Sequence, residues 1–125
     1  MVVKYLLDTD IMVDYLTSDV NNYLINLMQS GICFTTVLNA SEMLAACKGE
    51  NEQSAVRSVL DSLKVLGLHQ RYALSVQEFS DNTSNLRDAL FCVVSLINKL
   101  PIVTLNRERY KKTNLKIIYP QEVGV

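Results

Sequence analysis

The sequence predicts an α/β domain in which a parallel sheet is covered by helices on both faces. Short apolar runs of three to five residues, rich in Val, Ile and Leu, alternate with longer segments whose apolar residues recur every three or four positions. The four glycines and two prolines fall between these segments, and no linker, repeat or low-complexity stretch interrupts them. A chain of 125 residues suffices for one domain and is too short for two, so we expect residues 1–125 to form a single domain.

The strands and helices are expected to follow one another in a regular order. The apolar runs predicted as buried strands are bounded by Gly, Pro or polar turns: Val3–Leu7, Ile32–Thr35, Lys64–Leu68, Ile102–Thr104 and Lys116–Tyr119. The segments with helical periodicity lie between the first four of these runs: Ile11–Leu16, Asn21–Gln29, Leu38–Cys47, Asn51–Leu63, Gln70–Phe79 and Leu86–Leu100. Because helices separate most consecutive strands, we expect the strands to run parallel.

Charge and cysteine content exclude several classes of protein. With 12 Lys+Arg against 13 Asp+Glu, the chain has no general attraction for phosphates, so a nucleic acid would need a local basic patch or a metal ion. The three cysteines lie in apolar runs without CxxC spacing, which favours buried thiols in a reducing cytosol over disulfides or zinc. The opening apolar run meets Asp8 after a few residues, too early for a signal peptide or membrane span, so we expect a cytoplasmic protein.

Three acidic residues lie at positions that favour a functional site over a purely structural role. Asp8 follows the first predicted strand directly, and burying an unpaired carboxylate there would be costly, which favours a functional role for it. Nearby Thr9 or Asp10 is expected to cap the next helix. Glu42 lies in a helix among small apolar neighbours with no charged residue within a turn. Asp88 lies in the first turn of the last long helix, where the helix dipole also stabilises a negative charge.

These three carboxylates are expected to meet. Asp8, Glu42 and Asp88 belong to the beginnings of elements at one edge of the sheet, where ligands bind in open parallel sheets. Carboxylates in one crevice repel each other, and a hard divalent cation such as Mg²⁺ or Mn²⁺ resolves that repulsion. Such an ion activates water and neutralises charge on a phosphodiester. The sequence therefore predicts metal-assisted phosphodiester hydrolysis.

Basic residues concentrate after the fourth predicted strand. Such a cluster is usually a solvated loop, but beside the crevice it would contact backbone phosphates. The candidates for this contact are Arg107, Arg109, Lys111 and Lys112, with Arg87 as an addition from the last long helix. His69 stands alone, without a second His or Cys at ligand spacing, so general-base histidine catalysis is not favoured.

Several segments resemble the PIN domains, and among them the small VapC-like toxin ribonucleases. The resemblance covers nearly the whole chain, although each motif is short. It is carried by Tyr-Leu-Leu-Asp-Thr-Asp-Ile at 5–11, Thr-Val-Leu-Asn-Ala-Ser-Glu-Met-Leu at 36–44, Asn-Leu-Arg-Asp-Ala-Leu at 85–90 and the closing stretch 100–123. It implies a three-layer αβα sandwich with a central parallel sheet of four or five strands.

The resemblance also implies an activity and partners. It implies RNA cleavage with Asp8, Glu42 and Asp88 as catalytic residues that hold Mg²⁺ or Mn²⁺. Three further side chains would support this site, namely Thr9, Asp10 and Thr104. A toxin of this kind would form a homodimer and pair with an antitoxin that covers the site.

The chain departs from the family pattern at a few positions. Asn106 stands where most active members carry a further Asp, and it is expected as a metal ligand through its amide oxygen, without adding charge. Arg109-Tyr110 replaces a common Asp-Phe pair. Against a branch whose helix begins Asp-Phe-Glu-Asp-Ala, the chain has Asn85 and Arg87. These departures keep a second reading open: a degenerate PIN domain that binds RNA or a protein partner without cleaving.

Other classes fit less well. Asp8 and Asp10 match the Asp-x-Asp of haloacid-dehalogenase-type phosphatases, but those need a further acidic pair that is lacking beyond Asp88. A receiver domain needs an Asp after the third strand, where Gly-Leu-His stands at 67–69. The absence of a GxGxxG motif excludes a dinucleotide site.

Overall fold

In the computed structural model, which describes residues 2–123, five parallel strands form one sheet. Their order is β3-β2-β1-β4-β5, so the strand order reverses beside the central strand β1. The strands are β1 (Lys4–Leu7), β2 (Ile32–Thr36), β3 (Lys64–Leu66), β4 (Ile102–Val103) and β5 (Ile117–Ile118). The crevice expected of such a sheet therefore lies outside the carboxyl ends of β1 and β4.

Helices connect the first four strands. They are α1 (Thr9–Thr17), α2 (Tyr23–Ser30), α3 (Val37–Ala46), α4 (Glu50–Asp61), α5 (Gln77–Ser80) and α6 (Leu86–Asn98). Short 3₁₀ turns complete the connections at Gln70–Ser75, Arg107–Tyr110 and Pro120–Glu122. Within residues 2–123, no helix has both the length and the apolar surface that a bilayer crossing requires.

The sheet separates two apolar cores, because successive side chains of a strand point to opposite faces. Leu7 packs into the core formed with α1 to α4, which includes Ile11, Leu27, Met43 and Val56. Leu6 packs into the core formed with α6, which includes Phe91, Val94, Ile102 and Tyr110. The predicted fold is confirmed: a parallel sheet, here of five strands, with helices on both faces.

Two predictions about the elements were wrong. The segment Gln70–Phe79 is not one helix but a 3₁₀ turn followed by the single-turn helix α5, because its buried anchors are Tyr72 and Phe79 whereas Leu74 is 86% exposed. Strand β3 is not fully buried, since it lies at the edge of the sheet, where Lys64 and Val65 are exposed. Strand order, which sequence periodicity does not reveal, decides this exposure.

The last long helix is shorter than predicted. Helix α6 ends at Asn98 because Lys99 adopts a left-handed conformation, with φ of 55°, and Pro101 follows soon after. A left-handed residue after the last turn is a common helix terminus, and a proline cannot continue the helix. The chain then turns directly into β4, which pairs with β1 beside the crevice.

Candidate active site

Asp8 lies at the bottom of the crevice, between the end of β1 and the beginning of α1. It is the N-cap of α1 and has no exposed surface. Its Oδ1 accepts hydrogen bonds from the backbone N–H of Thr9 at 2.9 Å and from Arg87 Nη2 at 2.6 Å. Its Oδ2 accepts one from the Tyr110 hydroxyl at 2.7 Å, and Thr104 Oγ1 lies 3.1 Å away. Burial alone raises the pKa of Asp8, but the charge of Arg87 and the hydrogen bonds from Arg87, Tyr110 and Thr9 together hold that pKa below its ordinary value.

Asp10 does not cap the helix, so that expectation was wrong. The turn leaving β1 ends one residue after the strand, which places Asp8 rather than Asp10 at the N-cap. Asp10 Oδ2 instead lies 3.0 Å from Thr104 Oγ1 and accepts a hydrogen bond from the backbone N–H of Leu105 at 3.1 Å. Burial and the neighbouring charge of Asp8 raise the pKa of Asp10. Asp10 thus ties α1 to the loop after β4.

Glu42 reaches the crevice from α3 and forms its open end. The Thr36 side chain caps α3, and the Asn39 side chain returns to the Thr36 backbone, so the helix begins directly where β2 ends. Glu42 Oε1 accepts hydrogen bonds from Thr9 Oγ1 at 2.8 Å and from Arg87 at 3.0 Å (Nε) and 2.8 Å (Nη2). Its side chain remains 44% exposed.

Asp88 reaches the crevice from the first turn of α6. The Asn85 side chain caps this helix by accepting a hydrogen bond from the backbone N–H of Asp88 at 2.8 Å. The Asp88 side chain is 2% exposed, and its Oδ1 accepts a hydrogen bond from Arg87 Nη1 at 3.0 Å. The buried carboxylate is thus placed at a helix N-terminus, which favours its charge.

Arg87, which the sequence predicts as a candidate for contact with RNA phosphates, has its guanidinium between the three carboxylates. Its guanidinium contacts Asp8, Glu42 and Asp88 at 2.6, 2.8 and 3.0 Å, and it lies 5.0 Å from the centre of the Phe91 ring. Only 17% of its side chain is exposed. Burial lowers the pKa of Arg87, but Asp8 and its hydrogen bonds more than compensate and raise that pKa above its ordinary value.

The three carboxylates therefore converge on one cation, which is part of the chain itself. We call Asp8, Glu42 and Asp88 the acidic pocket. Carboxylate oxygens are the ligands that Mg²⁺ and Mn²⁺ prefer. The position of the Arg87 guanidinium shows that the pocket accommodates a positive charge where the three carboxylates meet. The chemical type of these ligands therefore fits a hard divalent cation. Within residues 2–123, however, no group of His, Cys, Asp or Glu side chains is arranged to hold a metal ion. The guanidinium takes the place between the carboxylates.

The other predicted residues lie around this pocket at different distances. Thr9 Oγ1 is within 3.0 Å of Glu42, Arg87 and the amide of Asn39, so it joins the pocket directly. Asn106 is exposed, and its hydrogen bond to this region runs from its backbone N–H to Thr104 Oγ1 at 3.1 Å. The structure thus places the Asn106 backbone, rather than its side chain, in contact with the site.

Two of the four residues in the basic cluster form ion pairs away from the acidic pocket. Arg107 pairs with Glu122 at 2.7 Å and stacks over the Tyr119 ring. Lys111 pairs with Glu108 at 2.6 Å, and Lys112 is exposed. Arg109 extends toward the pocket, with Nη1 3.6 Å from Asp8 Oδ2 and 40% of its side chain exposed.

Sequence reasoning missed the role of Tyr110. The residue has no exposed surface, and its hydroxyl donates to Asp8 while accepting from Arg87 Nη1 at 2.9 Å. Burial, followed by the charge of Asp8, raises the pKa of Tyr110 far above its ordinary value, so the hydroxyl keeps its proton. The available signal was the replacement of a family Phe by Tyr, because a buried Tyr hydroxyl needs a hydrogen-bond partner.

Comparison with known proteins shows the family of the chain. The PIN domain model matches residues 5–115, and the chain therefore belongs to the PIN-domain family, a family of nucleases. No curated protein sequence is similar enough to add a relative. The fold also matches solved toxin–antitoxin structures, which confirms the resemblance to VapC-like proteins.

Three of these solved structures span almost the same length as the chain. VapBC2 from Rickettsia felis bound to a promoter DNA fragment has 18% identity and a TM-score of 0.80, over 94% of this chain and 98% of that chain. A toxin–antitoxin complex from Klebsiella pneumoniae has 15% identity and a TM-score of 0.78, over 93% and 97%. VapBC-1 from nontypeable Haemophilus influenzae has 13% identity and a TM-score of 0.77, over 95% and 99%. At these identities the likeness concerns the fold.

Proposed function

We propose that this chain is a metal-dependent endoribonuclease and the toxin subunit of a toxin–antitoxin pair, with the acidic pocket as its active site. The observation that carries the proposal is the convergence of Asp8, Glu42 and Asp88, which are far apart in sequence, on one cation at the carboxyl edge of the sheet. Membership of a nuclease family and a fold shared with toxin–antitoxin complexes support it.

Asp8, Glu42 and Asp88 are the residues that would hold Mg²⁺ or Mn²⁺. The exposed side chain of Asn106 is a further candidate ligand that would have to turn toward them. When bound, such an ion would neutralise charge on the phosphodiester and lower the pKa of a water molecule. The chain's own residues fix the donors: Tyr110 holds Asp8 Oδ2 at 2.7 Å. Asp8 is thus oriented by hydrogen bonds before any ion arrives.

RNA is the proposed substrate because exposed positive charge lies beside the pocket. Arg109 is close to Asp8 and partly exposed, so it can contact a phosphate next to the scissile bond. A cleft of about 240 Å³ is lined by three basic residues and two acidic ones, namely Arg109, Lys111, Lys112, Asp81 and Glu108. Arg107 and Lys111 would contribute only by exchanging their carboxylate partners for phosphates.

The test is RNA cleavage by the purified chain with Mn²⁺ or Mg²⁺, compared with the same reaction in EDTA. Asp8→Asn keeps the size and an N-capping side chain but removes the charge, so we expect a fall in rate of about 100-fold or more. Asp61→Asn, at an exposed position of α4, is the matched control and should cleave as the unmodified chain does. Cleavage that persists undiminished in Asp8→Asn would show that the active site lies elsewhere.

A second candidate function is an RNA- or protein-binding PIN domain without catalysis. The observation that favours it is that Arg87 already occupies the place between the three carboxylates and offsets part of their charge. RNA bound but left intact under every metal condition would support this reading over the first. Homodimerisation and capture of an antitoxin are proposed for both readings, and co-expression with the neighbouring reading frame followed by size-exclusion chromatography tests them.

A further inference from the structure

We propose that Arg87 is a resident counter-ion that competes with a divalent cation for the acidic pocket, so that metal binding requires the guanidinium to leave. This inference rests on the proposed function and adds a regulatory element to the same site. Its basis is the position of one side chain: Arg87 contacts all three carboxylates at 3.0 Å or less.

The Arg87 guanidinium and a divalent metal ion cannot occupy the acidic pocket together, because both need the same oxygens and both are positively charged. The three carboxylate oxygens that face the meeting point, Asp8 Oδ1, Glu42 Oε1 and Asp88 Oδ1, all accept from the guanidinium. A Mg²⁺ ion needs its oxygen ligands at about 2.0–2.1 Å in a near-octahedral arrangement. An ion that shared these oxygens with Arg87 would lie beside a like charge within a few ångströms, in a largely buried setting where the repulsion is poorly screened.

Asp8 would keep most of its hydrogen bonds when Arg87 leaves. Asp8 would retain its hydrogen bonds to the Thr9 backbone, the Tyr110 hydroxyl and Thr104. The Asp88 backbone would retain the Asn85 cap. The position of Asp8 therefore does not depend on the guanidinium alone, whereas Glu42 would keep only its bond from Thr9 and the Asp88 carboxylate would lose its bond from Arg87.

The exit lies on the side of Glu42. This carboxylate is 44% exposed, whereas the side chains of Asp8 and Asp88 are 0% and 2% exposed. The Arg87 side chain is itself 17% exposed and belongs to the first turn of α6, at the rim of the crevice. Rotation of its flexible stem would carry the charge into solvent without moving the helix.

The experiment is a calorimetric titration of Mn²⁺ into the full chain and into Arg87→Gln, without RNA. We expect Arg87→Gln to bind Mn²⁺ at least about tenfold more tightly, because a competing charge is removed. Its melting temperature should also rise with Mn²⁺ by roughly 4 °C or more relative to EDTA, while that of the unmodified chain changes less. Arg57→Gln, on the exposed face of α4, is the matched control and should titrate like the unmodified chain.

Equal or weaker Mn²⁺ affinity in Arg87→Gln would overturn the competition. Should this variant fail to fold with and without Mn²⁺, Arg87→Lys decides instead. Lysine keeps one positive charge but lacks the planar fork that serves three carboxylates at once, so Arg87→Lys should fold and bind Mn²⁺ more tightly than the unmodified chain. An unchanged affinity in Arg87→Lys would then overturn the proposal.

RNA cleavage assays on the same samples separate the two proposals. Tighter Mn²⁺ binding in Arg87→Gln without RNA cleavage by any variant would contradict the ribonuclease and support the competition. Metal-dependent cleavage by the unmodified chain, together with equal Mn²⁺ affinities, would support the ribonuclease and contradict the competition.

Discussion

The two ends of the acidic pocket hold their carboxylates in different ways. At the buried end, Asp8 has no exposed surface and the Asp88 side chain is 2% exposed. At the open end, the Glu42 side chain is 44% exposed. All three contact Arg87 at similar distances, so access to water, rather than contact geometry, distinguishes the two ends.

This difference shows that the same arginine stabilises its buried partners more than its exposed one. A buried carboxylate that loses its partner cannot recover the lost interaction from water, whereas an exposed one is resolvated at once. The buried end therefore sets the stability and shape of the pocket. The open end is where one cation can exchange for another.

The largest expected effect comes from removing the shared partner. Arg87→Leu leaves the buried Asp88 without an ion-pair partner and leaves Asp8 with only the more distant Arg109, so the free energy of unfolding in EDTA should fall by about 3–5 kcal/mol. Urea denaturation followed by circular dichroism measures it. Arg57→Leu, on exposed α4, should change the same quantity by less than about 0.5 kcal/mol. A loss equally small for Arg87→Leu would show that the buried end does not depend on this ion pair.

An intermediate effect is expected from Tyr110→Phe. The substitution removes the hydroxyl that donates to Asp8 at 2.7 Å and leaves the ring in the core, so the free energy of unfolding should fall by about 1–3 kcal/mol. Thermal denaturation measures this loss of stability. Tyr119→Phe is the control, because the Tyr119 ring lies beside Arg107 outside the pocket. Equal melting temperatures for the two variants would contradict a positioning role for the Tyr110 hydroxyl.

The smallest effect is expected at the open end. Glu42→Gln keeps an oxygen that accepts from Thr9 and Arg87, so the free energy of unfolding should fall by less than about 1 kcal/mol. Its buried counterpart, Asp88→Asn, should cost more in the same urea titration, because the lost charge is shielded from water. A larger loss of stability in Glu42→Gln than in Asp88→Asn would contradict the difference proposed between the open and the buried end of the pocket.

Much of the fold followed from local patterns, because periodicity and chain punctuation report directly on strands and helices. The alternation of apolar runs predicted the parallel sheet, and the five expected strands are all present with ends that differ by one or two residues. Local patterns were misleading where burial depends on distant neighbours. The exposure of β3 and the broken segment after it are examples, since neither sheet-edge position nor the anchoring of Tyr72 is encoded within a short window.

For the candidate site, the sequence by itself determined which acids are available and that Asp8 follows the first strand, because residue type and strand ends are local properties. Only the tertiary structure decided where Arg87 lies and that Tyr110 completes the surroundings of Asp8. The physical reason is that the position of a guanidinium depends on the simultaneous distances to residues 8, 42 and 88. Those distances exist only after α3 and α6 have packed against opposite faces of one sheet.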